Sequence, residues 1–230
     1  IKATLSHIDP HLELNKSASC HLSIQVSLDG FSFALLNIRE QKYIALEYYD
    51  LQNCSNYQEV AEQLDLIISA QELLQQNFAS VSTCISNKLN TLIPKALYAE
   101  ENAKDILSFN QALLQNENES SDWIPSIKAY NTYIIPQELE RCFNKQFPNH
   151  QWKHHSSIFI ESLLQQFKLQ EEAKIYISVQ NKDFEIVVLE GKKLKFYNGY
   201  PYRTAEDLIY YLLFACEQLE LNPDQIPLII

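Results

Sequence analysis

Two stretches that begin 153 residues apart are built alike. "HLSIQVSLDGFSFALLNI" from His21 and "KIYISVQNKDFEIVVLEG" from Lys174 align without a gap over 18 residues. Leu22, Ile24 and Val26 fall on Ile175, Ile177 and Val179, while Phe31, Phe33 and Leu35 fall on Phe184, Ile186 and Val188. Strand side chains alternate between faces, so matching every second apolar residue predicts one hairpin with one buried face, made twice. A chain with this pattern has to fold into two lobes of common design.

The match continues past the hairpins. Third strands are predicted at Lys42 to Leu51 and at Lys193 to Tyr202. A helix follows each, opened by Ser55 with Gln58 in the first copy and by Thr204 with Asp207 in the second. Val60, Leu64, Ile67, Ile68 and Leu74 form one helical stripe; Leu208, Ile209, Leu212, Leu213, Cys216 and Leu219 form the other. "FASVSTCI" from Phe78 and "IPLII" at the end read as closing strands, so each copy is β-β-β-α-β.

Between the copies, Lys95 to Gln115 reads as helical, Asn116 to Asp122 as a polar loop and Tyr130 to Ile135 as a strand. Pro136 opens a short helix. A strand near Gln151 to His155 precedes a helix capped by Ser156 or Ser157 and carrying Ile160, Leu163, Leu164 and Phe167. The expected organisation is an N-terminal extension over 1–20, a larger first lobe over 21–172 with inserted helices, and a smaller second lobe over 173–230.

Charge and rare residues narrow the function. A formal net charge of −11 argues against a nucleic-acid partner, because phosphate backbones select basic surfaces. Lys192, Lys193 and Lys195 read as the solvated face of a strand and its turn. No apolar run is long enough for a membrane span, and no signal-peptide pattern opens the sequence. Five scattered cysteines, none in a CxxC pair, suggest free thiols in a reducing cytoplasm. Only three glycines are present, where ordinary usage of about 7% would give roughly 16. Neither a P-loop nor a GxGxxG fingerprint can be assembled from Gly30, Gly191 and Gly199.

Tandem β-β-β-α-β units resemble the actin-like ATPase fold, whose two lobes have ribonuclease-H-like cores. Through "LSIQVSLDGFSFALL", "NTYIIP" and "KHHSSIFIESLL", the whole chain also resembles an uncharacterised bacterial family, domain of unknown function 3822. The resemblance implies the fold, and ATP with Mg²⁺ as the cofactor of active superfamily members. These place an Asp-x-Gly-Thr/Ser turn after the first strand of lobe one and a comparable turn in lobe two. Carboxylates there orient Mg²⁺, and glycine N–H groups cradle phosphate.

On that alignment the motif's Asp falls on Ser27, its Gly on Asp29 and its hydroxyl residue on Gly30. The lobe-two turn is Gln180-Asn181-Lys182-Asp183, with Gln180 at the Asp position and Lys182 at the glycine. A one-residue slip would recruit Asp29, Ser32 and Asp183, but it reverses the inward face unless a bulge absorbs it. Ser27 also lacks the carboxylate that a ribonuclease-H-like nuclease needs. His150, His154, His155 and Cys142 lack a matched pair of metal ligands, so no metal site and no catalytic residue is expected.

The stretch "FYNGYPY" supplies Tyr197, Tyr200 and Tyr202 either as anchors for a protein partner or as lobe-core residues beside Gly199. The expectation is a non-catalytic interaction or scaffolding module without cofactor. The competing expectation is a divergent ATP-dependent switch or a weak phosphotransferase.

Overall fold

The repeat is realised in the hydrogen-bond register of the backbone. The computed structural model describes residues 2–110 and 117–230. Strand β1 (Leu5–Ile8) precedes the first hairpin, β2 (Cys20–Val26) and β3 (Gly30–Asn37), followed by β4 (Lys42–Asp50), α1 (Tyr57–Ala70) and β5 (Ser80–Ile85). The second copy comprises β10 (Ala173–Val179), β11 (Asp183–Glu190), β12 (Lys193–Pro201), α5 (Ala205–Gln218) and β13 (Leu228–Ile229). Between them lie β6 (Asn90–Pro94), α2 (Ala103–Asn110), β7 (Asn118–Ile124), β8 (Ala129–Ile135), α3 (Gln137–Gln146), β9 (Gln151–His154) and α4 (His155–Gln166).

Leu22 pairs with Leu35, Ile24 with Phe33 and Val26 with Phe31. Their counterparts pair identically: Ile175 with Val188, Ile177 with Ile186, Val179 with Phe184. Even the irregularity is copied, because the register shifts between Leu35 and Leu36 against β4 and between Val188 and Leu189 against β12. A bulge adds local twist and bends its strand, so its position belongs to the design of the lobe. The connection to the third strand is two residues shorter in the second copy, and Phe31 faces Tyr49 as Phe184 faces Tyr200.

The strand orders are β1-β4-β3-β2-β5-β9, β12-β11-β10-β13 and β6-β8-β7. In the first sheet, β2, β5 and β9 run parallel, while β3 pairs antiparallel with β2 and β4 antiparallel with β3. The second sheet repeats the arrangement as far as β13, which lies parallel to β10. The chain groups into two units: residues 1–91, 99–122 and 132–155, and residues 92–98, 123–131 and 156–230. The expected division set breaks after residues 20 and 172; this grouping has five boundaries, three inside β6, β7 and β8, one between β6 and α2 and one just after the start of α4.

In the first unit, Val60, Leu64, Ile67 and Ile68 of α1 and Leu139 and Phe143 of α3 bury against Leu22, Ile24, Phe31 and Phe33. In the second, α5 covers the inward face of Ile175, Ile177, Phe184 and Ile186. Tyr176, Val187 and Leu189, on the opposite face of that sheet, pack against Ile160 and Leu164 of α4. β11 is therefore buried on both faces, which explains its nearly unbroken apolar run.

Local signals hold with some displacement. The Thr204–Asp207 capping box forms as predicted. The first cap moves by one residue, to Asn56, whose side chain accepts from the Glu59 N–H at 3.0 Å. Asn and Glu fill the two roles better than Ser55 and Gln58, because the Glu59 carboxylate also reaches back to the Ser55 N–H at 2.7 Å. Of the predicted helix at Lys95 to Gln115, only a 3-10 turn at Glu100–Asn102 and α2 are helical; residues 111–115 lie outside the described residues. Asn118 to Asp122 belong to strand β7, while Asn116 of the same predicted loop lies outside the described residues. No helix among the described residues is long and apolar enough to cross a membrane.

Candidate functional site

In an open α/β sheet, ligands gather beyond the carboxyl ends of parallel strands, where the strand order reverses. In the first unit that place is the end of β2 and β5, where Val26, Ile85 and His154 stand side by side across three parallel strands. The turn Ser27-Leu28-Asp29-Gly30 leaves β2 there.

This turn closes on itself. The Ser27 N–H donates to the Gly30 carbonyl at 2.9 Å, and the Leu51 N–H to the Asp29 carbonyl at 2.8 Å. The Ser27 hydroxyl donates to Asp29 Oδ1 at 2.7 Å, with the Gly30 carbonyl 3.2 Å away. Gly30 is buried in an ordinary strand conformation rather than a left-handed one. A Cβ there would lie 2.9 Å from Tyr48 Cε2 and 3.0 Å from its hydroxyl oxygen. Glycine thus admits the Tyr48 ring.

Gly30→Ala is expected to cost about 1–2 kcal/mol by overpacking. In a Tyr48→Ala background the same change should cost nearly nothing, because the ring that Cβ meets is gone. A double-mutant cycle by urea denaturation measures this coupling, and equal costs in both backgrounds would refute the packing role.

The second turn repeats the frame. The Gln180 N–H donates to the Asp183 carbonyl at 2.8 Å, and the Tyr202 N–H to the Lys182 carbonyl at 3.1 Å. The Tyr202 hydroxyl also donates to the Gln180 carbonyl at 2.6 Å. Asn181 and Lys182 are exposed, and Ser32 and Asp183 are half-buried. The backbone of the two turns is equivalent; the side chains are not.

The three tyrosines read from sequence as partner anchors have work inside their own unit. Tyr200 is only 9% exposed, stacks on Tyr211 at 4.4 Å and faces Phe184 at 5.7 Å. Phe31 and Tyr49 form the same cross-strand pair at 5.9 Å in the first unit. Of the two alternatives, the core position is the one Tyr200 occupies. Tyr197 and Tyr202 are half-buried, with hydroxyls committed to Ser156 and to Gln180.

Several buried polar groups escaped the sequence reading. Asp122 is 8% exposed and accepts from the His154 backbone N–H at 2.8 Å and the Tyr133 hydroxyl at 3.3 Å. His154 is fully buried, and burial lowers its imidazole to about 3, with His155 adding to the shift. Tyr133 is raised, chiefly by burial and then by the Asp122 charge. Asp122 thereby ties β7 to the end of β9. The alternation in "NESSDWI" could have identified this strand, but its polar composition hid it.

In the second unit, buried Glu185 accepts from the Tyr197 hydroxyl at 3.0 Å and from the Ser156 hydroxyl. Its position in the repeat is that of Ser32, on the face away from α5. Because α4 already begins at His155, Ser156 and Ser157 sit in its first turn rather than at its cap. Ser157 instead accepts from the Asn131 side chain at 2.9 Å.

The remaining candidates are packing groups. His150 reaches Thr83 Oγ1 at 2.9 Å and Asn144 Oδ1 at 3.3 Å. Burial pushes the Cys142 thiol up to about 12, with Asp65 adding to the shift, so it stays protonated and a poor nucleophile. Among the described residues, no three His, Cys, Asp or Glu side chains converge as metal ligands.

A family model described as "Protein of unknown function (DUF3822)" matches residues 9–230. A crystal structure from Bacteroides thetaiotaomicron, described as a protein with actin-like ATPase fold and unknown function, is similar over 92% of this chain and 81% of that one. The two share 26% sequence identity with a TM-score of 0.84. A chain of the PilM-PilN type IV pilus biogenesis complex aligns over 88% of this chain and 66% of its own length. Its identity is 9% and its TM-score 0.50, a likeness of fold alone. Comparison with curated proteins gave no match. The sheet orders and these likenesses together give an actin-like ATPase fold.

Proposed function

The chain belongs to the DUF3822 family, and from that premise we propose that it is a non-catalytic binding module that holds a protein partner on an actin-like frame. One observation carries the reading: the first turn is closed by its own residues. Phosphate binding on this frame uses a carboxylate to hold Mg²⁺ waters and open glycine N–H groups to approach the anion. Here Ser27 stands in the carboxylate position and spends its hydroxyl on Asp29, while Tyr48 covers Gly30. The corresponding position of the second turn is Gln180, whose carbonyl is capped by Tyr202. In the PilM-PilN complex, a chain of like fold is found assembled with another protein. All five cysteines are free thiols and four are buried, which favours the reducing cytoplasm as the place of action.

The test is a nucleotide titration. A ligand bound only by the folded state must raise the melting temperature. Millimolar Mg-ATP is expected to leave it unchanged, in the native chain and in Asp29→Ala alike. A rise that Asp29→Ala abolishes would overturn the proposal and establish the nucleotide-switch reading.

A further inference from the structure

The first unit buries a carboxylate that neither turn uses. Glu47, on β4, is 4% exposed, and three neutral groups direct donors at it. The Ser6 hydroxyl donates to Oε1 at 2.7 Å, the Tyr49 hydroxyl to Oε2 at 2.7 Å, and the Gln71 side-chain amide to Oε2. Burial pushes the Tyr49 hydroxyl up to about 12, with its bond to Glu47 adding to the shift, so Tyr49 stays a donor at neutral pH. A carboxylate offers about four acceptor sites. These bonds fill three and leave one, on Oε1.

That carboxylate lines a cavity of about 290 Å³ between β1 and the end of α1. Glu47, Tyr49 and Ile67 are buried and form its inner wall, while Ser6 and Ala70 are exposed and form its rim. Among the described residues, Lys2 is the one cation on the wall; it is exposed and makes no ion pair with Glu47.

The duplicated plan does not require this acid. Phe33 pairs with Glu47 as Ile186 pairs with Asn198, so Asn198 is its twin. Asn198 is exposed, and among the described residues no strand flanks β12 as β1 flanks β4. Burying a carboxylate without a countercharge costs free energy that neutral donors offset only in part.

The open acceptor and the uncompensated charge suit a cation that carries its own N–H. A metal ion suits them poorly, because hard cations take six or more oxygen ligands and the groups around Glu47 turn donors toward it. An ammonium group satisfies both, and Ile67 and Ala70 offer apolar wall to a short alkyl chain. The volume is at the small end of ligand sites. A net charge of −11 also draws cations toward the chain.

We infer that this cavity binds a small primary alkylammonium ion, whose ammonium donates to Glu47 Oε1 and whose chain lies against Ile67 and Ala70. The site shares no residue with the two turns, and the inference goes beyond the binding-module reading without depending on it.

The test titrates 1-butylammonium chloride into the full chain at pH 7 by isothermal calorimetry, beside 1-butanol and butyrate at the same ionic strength. Butylammonium is expected to saturate one site with a Kd at or below about 1 mM, at least about tenfold tighter than butanol, its neutral counterpart. Butyrate should not bind. Glu47→Gln should weaken butylammonium about tenfold and erase its advantage over butanol. Ala70→Leu, which fills the rim from an exposed helical position, should abolish binding without lowering the unfolding midpoint. Equal affinity for butylammonium and butanol, saturation only well above 1 mM, or binding unchanged by either substitution in a folded variant would overturn the inference. Where Glu47→Gln fails to fold, Ala70→Leu decides it. The ATP titration reads a different site, so either result can fail without the other.

Discussion

Phe31→Ala and Phe184→Ala each lower the free energy of unfolding by about 3–5 kcal/mol, read from urea denaturation of the two variants. Both rings are fully buried, and each heads the inward face of its hairpin. Phe31 lies 6.4 Å from Phe33 and 5.9 Å from Tyr49. Phe184 lies 5.7 Å from Tyr200 and 5.9 Å from Tyr202. Truncation removes the transfer free energy of the ring and leaves a cavity beside a stiff sheet that cannot collapse into it. The twin positions should behave alike, since register, burial and aromatic partner are all repeated. A loss under about 1 kcal/mol at either position would contradict this packing.

Acid should weaken the first unit through His154. The ordinary imidazole value is 6.5, and burial holds His154 at about 3 in the folded chain. Between those values the unfolded chain takes up a proton that the folded chain refuses, so stability falls as pH falls. The slope is about 1.4 kcal/mol per pH unit, which amounts to about 2 kcal/mol between pH 6.5 and 5. A backbone hydrogen bond with Asn87 works against the shift but does not offset the burial. Asp122 is engaged by the His154 backbone and Tyr133, and His155 opposes a second positive charge. His154→Gln should remove this part of the pH dependence, measured as the difference in unfolding free energy at pH 7 and pH 5. Equal losses in the native chain and the variant would show that other groups carry the acid sensitivity.

The hairpins could be read from the chain because a two-residue alternation is local, and its duplication left a gapless trace from His21 and from Lys174. The copied bulge and the Phe–Tyr pair were not readable, since the pairing of Phe184 with Tyr200 depends on a connection two residues shorter than its twin. β7 was missed for a different reason. Its serines and acids look like loop, and only the ladder with β8 and the seat of Asp122 against β9 reveal a strand.

The candidate site divides in the same way. The proposal that Ser27 and Gln180 stand at the carboxylate positions comes from alignment of the strands alone. Gly30 could not be explained so, because its reason is Tyr48, eighteen positions along the chain and against it in space. Sequence by itself determined the duplicated β-β-β-α-β plan, the inward face of each hairpin and the identity of the turn residues, all of which follow from short periods along one strand of chain. Tertiary structure decided that Tyr48 packs over Gly30, that Tyr200 is core and that α4 packs on the second sheet. Each of these depends on contacts between residues far apart in sequence, and burial by a distant partner leaves no mark on the residue that is buried.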